Sequence, residues 1–355
     1  MKKRVFSLGI LALATTAFTS CSDNDDNNGS ATDGNAALYS EVLEDLSTDV
    51  ITKTYEELNT NAIALRAAVN ALTIGDEAKL TAVKEAWKAT RAPWEKSEGF
   101  LYGPVDTEGI DPAMDTWPVD VNAMDAILNS SNAITPEVIA DNDGSRGFHL
   151  IEYLVWGING QKTAASLTAR ELEYLKAAAL DLQGNTQKLY NGWKATEGNF
   201  AANFITAGTS TSIYTSQKDA LEEIVDGLIT IADEVAAGKI QTPLDEGVAT
   251  EESRFSNNSK TDFANNMRSI QNIYLGDYGI DTESGLTDIV ALKNATLDAE
   301  IKNKITAAIA AIEGIPGTFT DAVTNNTAAV ENARDKVIEL KTVLQSQLKP
   351  FIINN

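Results

Sequence analysis

The sequence predicts an all-α protein of two helical bundles packed side by side, with a site at their interface. Three observations lead there. Apolar residues recur at helical spacing through most of the 355 residues, no two runs read as a convincing strand pair, and Ala, Leu and Glu are plentiful. A Gly/Ser/Thr stretch, Ala207 to Ser212, reads as the join between bundles spanning 36–206 and 213–355.

Before the first bundle lies a targeting segment. Met1-Lys2-Lys3-Arg4 is basic, and Val5 to Phe18 is apolar but too short to span a bilayer as a helix, so 1–20 reads as a signal peptide. Phe18-Thr19-Ser20-Cys21 resembles the lipobox of bacterial lipoproteins, with Phe18 where Leu is usual. That resemblance implies a lipid anchor through Cys21, the only cysteine, and an outer-membrane lipoprotein facing the periplasm or the cell surface. The acidic stretch that follows makes 21–35 a disordered tether. The formal charge is −23, which excludes nucleic acid as a partner and argues against anionic lipid heads.

Helices then follow in order. Leu43, Leu46, Val50, Tyr55, Leu58 and Leu65 give Ala36 to Leu72 a buried stripe, and Gly75 stops it. Asp76 caps a helix carrying Leu80, Val83, Trp87 and Trp94, with a kink or break expected at Pro93. Gly103 to Pro118 reads as loop, Val119 to Leu128 as a short helix, and Asp143 or Ser145 as the cap of a helix through Phe148 to Trp156. Leu167 to Phe204 reads as one long helix. The second bundle is expected from Tyr214 to Ala237, Glu251 to Leu275, Ala299 to Ile312 and Phe319 to Leu348.

Four stretches carry chemistry. His149, the only histidine, and Glu152 share one face of an otherwise apolar helix. Trp87, Arg91, Trp94 and Glu98 would line up on a straight helix, with Glu95 three residues before Glu98. Asp111 and Asp115 flank a stiff, proline-rich loop beside Trp117. The segment from Glu251 through Ser253, Arg254 and Asn257 to Arg268 and Gln271 is dense in amides and hydroxyls, which suits a helix lining a polar interior or interface better than a solvated face.

With those residues in view, Gly147-Phe148-His149-Leu150-Ile151-Glu152 matches the GxHxxE motif of the imelysin-like family, and the other three stretches resemble further blocks of that family in the same order. The resemblance covers nearly all of the chain after the leader. It implies two helical bundles, a link to bacterial iron uptake, and a proposed metallopeptidase activity in some relatives. Carried onto this chain, it makes His149, Glu152, Glu95, Glu98, Asp111 and Asp115 candidate metal ligands. Arg91, Trp94, Trp117, Ser253, Arg254, Asn257, Arg268 and Gln271 are candidates to bind an anionic or chelated ligand.

One imidazole among several carboxylates is a harder donor set than usual for zinc, and suits iron or another divalent or trivalent metal. The expectation is a binder of iron or an iron chelate, working with outer-membrane or periplasmic uptake components. A metallopeptidase using Glu152 and His149, or an adhesion or scaffold module with a vestigial site, are the alternatives.

Overall fold

Several helices start where the chain supplies a side-chain cap or a proline. In the computed structural model, which describes residues 35–279 and 281–355, Glu77–Glu95 begins at Asp76, whose carboxylate accepts the Lys79 amide at 3.1 Å. The expected signal peptide, the Cys21 anchor and nearly all of the tether fall on residues 1–34, outside the described part. Pro93 does not break its helix, which continues to Glu95. The Ala89 carbonyl, which a proline four residues on cannot serve, accepts the Asn61 side-chain amide instead, at 2.9 Å.

Residues Asn35–Asn355 form one all-α unit built of helical bundles. Lys53–Ala71 packs against Glu77–Glu95 and Ala169–Trp193, and the histidine helix Gly147–Trp156 lies against the latter two. Farther along the chain, Ala295–Glu313 packs on both Ser259–Leu275 and Thr327–Val343. The two groups meet where Ser259–Leu275 crosses Glu77–Glu95 and where Gln217–Asp233 crosses the short turn Glu98–Phe100. A Cβ on Gly227 would stand 2.3 Å from the Gly99 carbonyl oxygen, so only glycine permits that approach. Among the described residues, no helix is long and apolar enough to cross a membrane.

Several expected boundaries shift. Gly103 to Pro118 is not simply loop: it holds two short helices, Pro104–Thr107 and Ile110–Asp115, the first opened by a proline where a missing N–H costs nothing. Neither Asp143 nor Ser145 caps the histidine helix; they lie in a turn capped by Asn142, and the helix begins at Gly147. The long helix Ala169–Trp193 ends before Asn199, which takes a φ of 53°. Residues 251–258 are irregular, with positive φ at Ser253 and Asn257, so the last helix crossing the site starts only at Ser259. One two-residue antiparallel pair, Asp277–Tyr278 with Asp281–Thr282, was not expected.

Gly147, the first residue of the motif, has a structural task. Its φ is 76°, and a Cβ there would lie 2.3 Å from the Met114 carbonyl oxygen. The start of the histidine helix can therefore press on the end of Ile110–Asp115. Gly147→Ala is expected to destabilise the fold by about 2 kcal/mol or more, through combined strain and clash. Urea unfolding measures it, and a cost near zero would mean the contact is not what fixes glycine there.

Candidate functional site

The site is built around a buried imidazole. Phe148, Leu150, Ile151, Leu154 and Val155 anchor the histidine helix in the core, and Trp87 donates its indole N–H to the Phe148 carbonyl at 3.0 Å. His149, fully buried, is thereby turned towards the other group of helices. Its Nδ1 lies 3.1 Å from Glu152 Oε2. The other Glu152 oxygen accepts the Ser256 amide at 2.8 Å and the Ser256 hydroxyl at 2.7 Å. Glu152 thus stands behind the imidazole, held by the irregular segment, and fixes the ring.

The opposite nitrogen, Nε2, faces two carboxylates. Asp115 Oδ1 is 3.1 Å away and Glu252 Oε1 is 3.6 Å away, yet Nε2 makes no hydrogen bond of good geometry. Asp115, His149 and Glu252 can offer one ligand atom each, all within 4.8 Å of one another; Glu95, Glu98 and Asp115 form a second such group. Asp115 is held from its other oxygen by the Trp94 indole at 2.6 Å. Trp117 sets its ring edge-on against His149, 4.9 Å between centroids, and Phe255 packs behind it.

Two cations are built in. The fully buried Arg91 guanidinium contacts Glu95, Asp115 and Glu252, with Asp262 at 3.4 Å. Lys239 Nζ lies 2.9 Å from Glu98 and 3.2 Å from Glu252. Asn266 donates to Glu95 Oε2 at 2.6 Å and Glu98 Oε2 at 2.7 Å. Six buried carboxyls (Glu95, Glu98, Asp115, Glu152, Glu252 and Asp262) share two permanent cations, Arg91 and Lys239, so full ionisation would leave four negative charges uncompensated, or three with His149 protonated. A buried excess of that size must take up protons or a cation.

The ionisation of these groups follows from that crowding. Burial lifts Glu95 to about 8 against the pull of Arg91 and Lys239. Burial, together with neighbouring Glu95, pushes Glu98 well up, and burial raises Asp262 to about 6. Burial also acts on Asp115, but Arg91 and the adjacent His149 outweigh it and hold this carboxyl well below its usual range. Glu252 is likewise held down, to about 2, by Lys239, His149 and Arg91 against its burial. Burial and Arg91 oppose the charge on His149, yet Asp115, Glu152 and Glu252 carry it well above the usual range.

The signs give a pH profile. The raised carboxyls and His149 stabilise the fold at low pH and lose that contribution as pH climbs through their folded values, for Glu95 up to about 8. The depressed Asp115 and Glu252 act oppositely, and their contribution is lost as pH falls below the ordinary 3.8 and 4.5. The melting temperature of the metal-free protein should therefore peak near about pH 5 and fall towards pH 8. A thermal scan across buffers checks it; a melting temperature rising from pH 5 to pH 8 would contradict the charge balance.

The cluster opens on a polar cavity of about 240 Å³ walled by Glu98, Leu101, Asp111, Asp115, Trp117, Glu234, Lys239 and Glu252. A second cavity of about 320 Å³ shares Trp117, Glu234, Lys239 and Glu252 and continues past Thr242 and Thr250. Asp111 stands on the wall of the first, raised to about 6 by burial and by Asp115.

The structure thus brings together Arg91, Trp94, Glu95, Glu98, Asp111, Asp115, Trp117, His149 and Glu152. Ser253 is buried in the irregular segment beside Asp262, and Arg254 lies over the Phe255 ring. Asn257 is exposed. Arg268 pairs with Glu313 towards solvent, and Gln271 lines a separate cavity with Leu275 and Lys302. Sequence reasoning missed Glu252, Lys239, Asp262 and Asn266 as site residues. The Glu251-Glu252 pair was visible, but only the irregular backbone decides that Glu252 faces the histidine while Glu251 bonds Ser259 and Thr320.

The family profile described as imelysin matches residues 51–347. Iron-regulated protein A of Synechococcus elongatus is 26% identical over 99% of this chain and 94% of its own length. A solved structure assigned as an iron-regulated protein A precursor, from Parabacteroides distasonis, is 28% identical, with a TM-score of 0.80 over 91% of this chain and 97% of that one. An imelysin-like protein from Psychrobacter arcticum shares the fold, with a TM-score of 0.72 at 16% identity, over 89% of this chain and 96% of that one.

Proposed function

The chain belongs to the imelysin family, and from that premise we propose that it binds a hard metal cation, iron above all, at Asp115, His149 and Glu252, without catalysis. The convergence of the buried Asp115 and Glu252 carboxylates on the outward-facing imidazole nitrogen carries this reading. One nitrogen and several carboxylate oxygens suit iron better than a soft-ligand metal. The wall residues Asp111 and Glu234 would draw cations in from solvent. The relatives named iron-regulated support an iron-linked setting.

Glu152 would orient the imidazole and raise its basicity, as an outer carboxylate does behind a metal-bound histidine. We assign no hydrolytic step: Glu152 is turned to Nδ1 and Ser256, away from the side on which Nε2 would hold a metal. A lipoprotein anchored through Cys21 and delivering iron to envelope uptake components is the cellular setting we propose.

Metal content and calorimetric titration of protein purified without a histidine tag test the proposal. Stoichiometric uptake of ferrous or ferric iron is the expected result. No uptake of iron or of manganese at micromolar protein would overturn it.

A further inference from the structure

We propose that Lys239 is a tethered gate cation, which an incoming multivalent metal ion displaces from the cluster. This rests on the metal-binding reading above, and it assigns Lys239 a role in selecting the ion.

Its ammonium sits between the two candidate ligand groups. Nζ is 3.2 and 3.3 Å from the two oxygens of Glu252, which belongs to one group. It is 2.9 Å from Glu98 and 3.6 Å from Glu95, which belong to the other. No metal ion could use Glu252 together with Glu98 while that ammonium stays in place, because the positive charges would compete for the same oxygens.

The two built-in cations differ in freedom. Arg91 is locked by four carboxylates with no exposed surface. Lys239 borders both cavities, so its flexible four-carbon stem has space to move into. An outward partner is ready: Glu234 Oε1 lies 3.8 Å from Nζ, and its side chain is 49% exposed. Both residues lie in the π-helical segment Glu234–Ile240, whose i to i+5 geometry sets them side by side.

Swinging from Glu252 and Glu98 towards Glu234 would free carboxylate oxygens for the metal and keep the ammonium paired. A monovalent ion gains no more from those oxygens than the tethered ammonium does, whereas the attraction of a divalent or trivalent ion scales with its charge. The gate therefore favours multivalent ions and leaves the metal-free site partly neutralised.

The test labels lysines with an acetylating reagent, with and without ferrous iron or manganese, and reads each site by mass spectrometry. Lys239 should be protected in the metal-free protein and at least several-fold more reactive once metal is bound, with the surface lysines as internal standards. Lys239→Met should tighten manganese binding by on the order of ten- to a hundredfold and let sodium compete at concentrations that leave the wild-type site untouched. Metal bound by the wild type with Lys239 still protected and Lys239→Met of unchanged affinity would overturn the gate alone. Metal bound by neither protein would overturn the metal-binding reading, and the gate with it.

Discussion

Arg91→Met is expected to destabilise the protein by about 3–5 kcal/mol, the cost of removing one partner from a buried ionic network. The guanidinium touches Glu95, Asp115, Glu252 and Asp262, and no solvent reaches it. Methionine fills much of the same volume, so packing loss is small and the penalty is electrostatic. Those four carboxylates would face only Lys239 and His149, and they would have to protonate or draw in water. The deficit should shrink at pH 5 and when Glu95→Gln is added, because each removes uncompensated charge. Urea denaturation of the single and double variants measures this. Equal stability of wild type and Arg91→Met would mean that the network is already neutralised by protons.

The second large effect is on metal affinity. His149→Ala and Glu252→Gln should each weaken iron or manganese binding by about 100-fold or more, since each would remove a ligand of the proposed site and so cost more than a change behind a ligand. Glu152→Gln removes only the support behind the imidazole and should cost about 10- to 100-fold. The ordering distinguishes the present reading from the motif alone, in which His149 and Glu152 would be equal partners. Calorimetric titration at one pH, with folding checked by circular dichroism, provides the comparison. Glu152→Gln weaker than Glu252→Gln would place the ion on the wrong side of the ring.

The sequence carried the all-α class because helical periodicity depends only on neighbours along the chain. It also carried His149, Glu95, Glu98 and Asp115, which lie on or beside helices with clear apolar stripes. It did not reveal Glu252, because residues 251–258 follow no period and the facing carboxylate is chosen by positive φ at Ser253 and Asn257. Lys239 was equally hidden. A lysine just beyond a predicted helix end reads as solvated, and only the meeting of the two helix groups buries it against Glu98 and Glu252. Arg268 and Gln271 share a helix with Asn266 but point to other faces, a choice that amide-rich sequence alone does not settle. The motif's glycine shows the reverse case: its spacing was plain, while its reason, the Met114 carbonyl 2.3 Å from where a Cβ would be, needed the fold.

The proposed metal ion sits between Asp115, His149 and Glu252. Anomalous diffraction from iron-soaked crystals, recorded on both sides of the iron absorption edge, tests it most directly. One strong peak is expected within bonding distance of His149 Nε2 and of carboxylate oxygens of Asp115 and Glu252, and it should be lost in Glu252→Gln. A peak on the Glu152 side of the ring, or none in crystals soaked at millimolar iron, would contradict it.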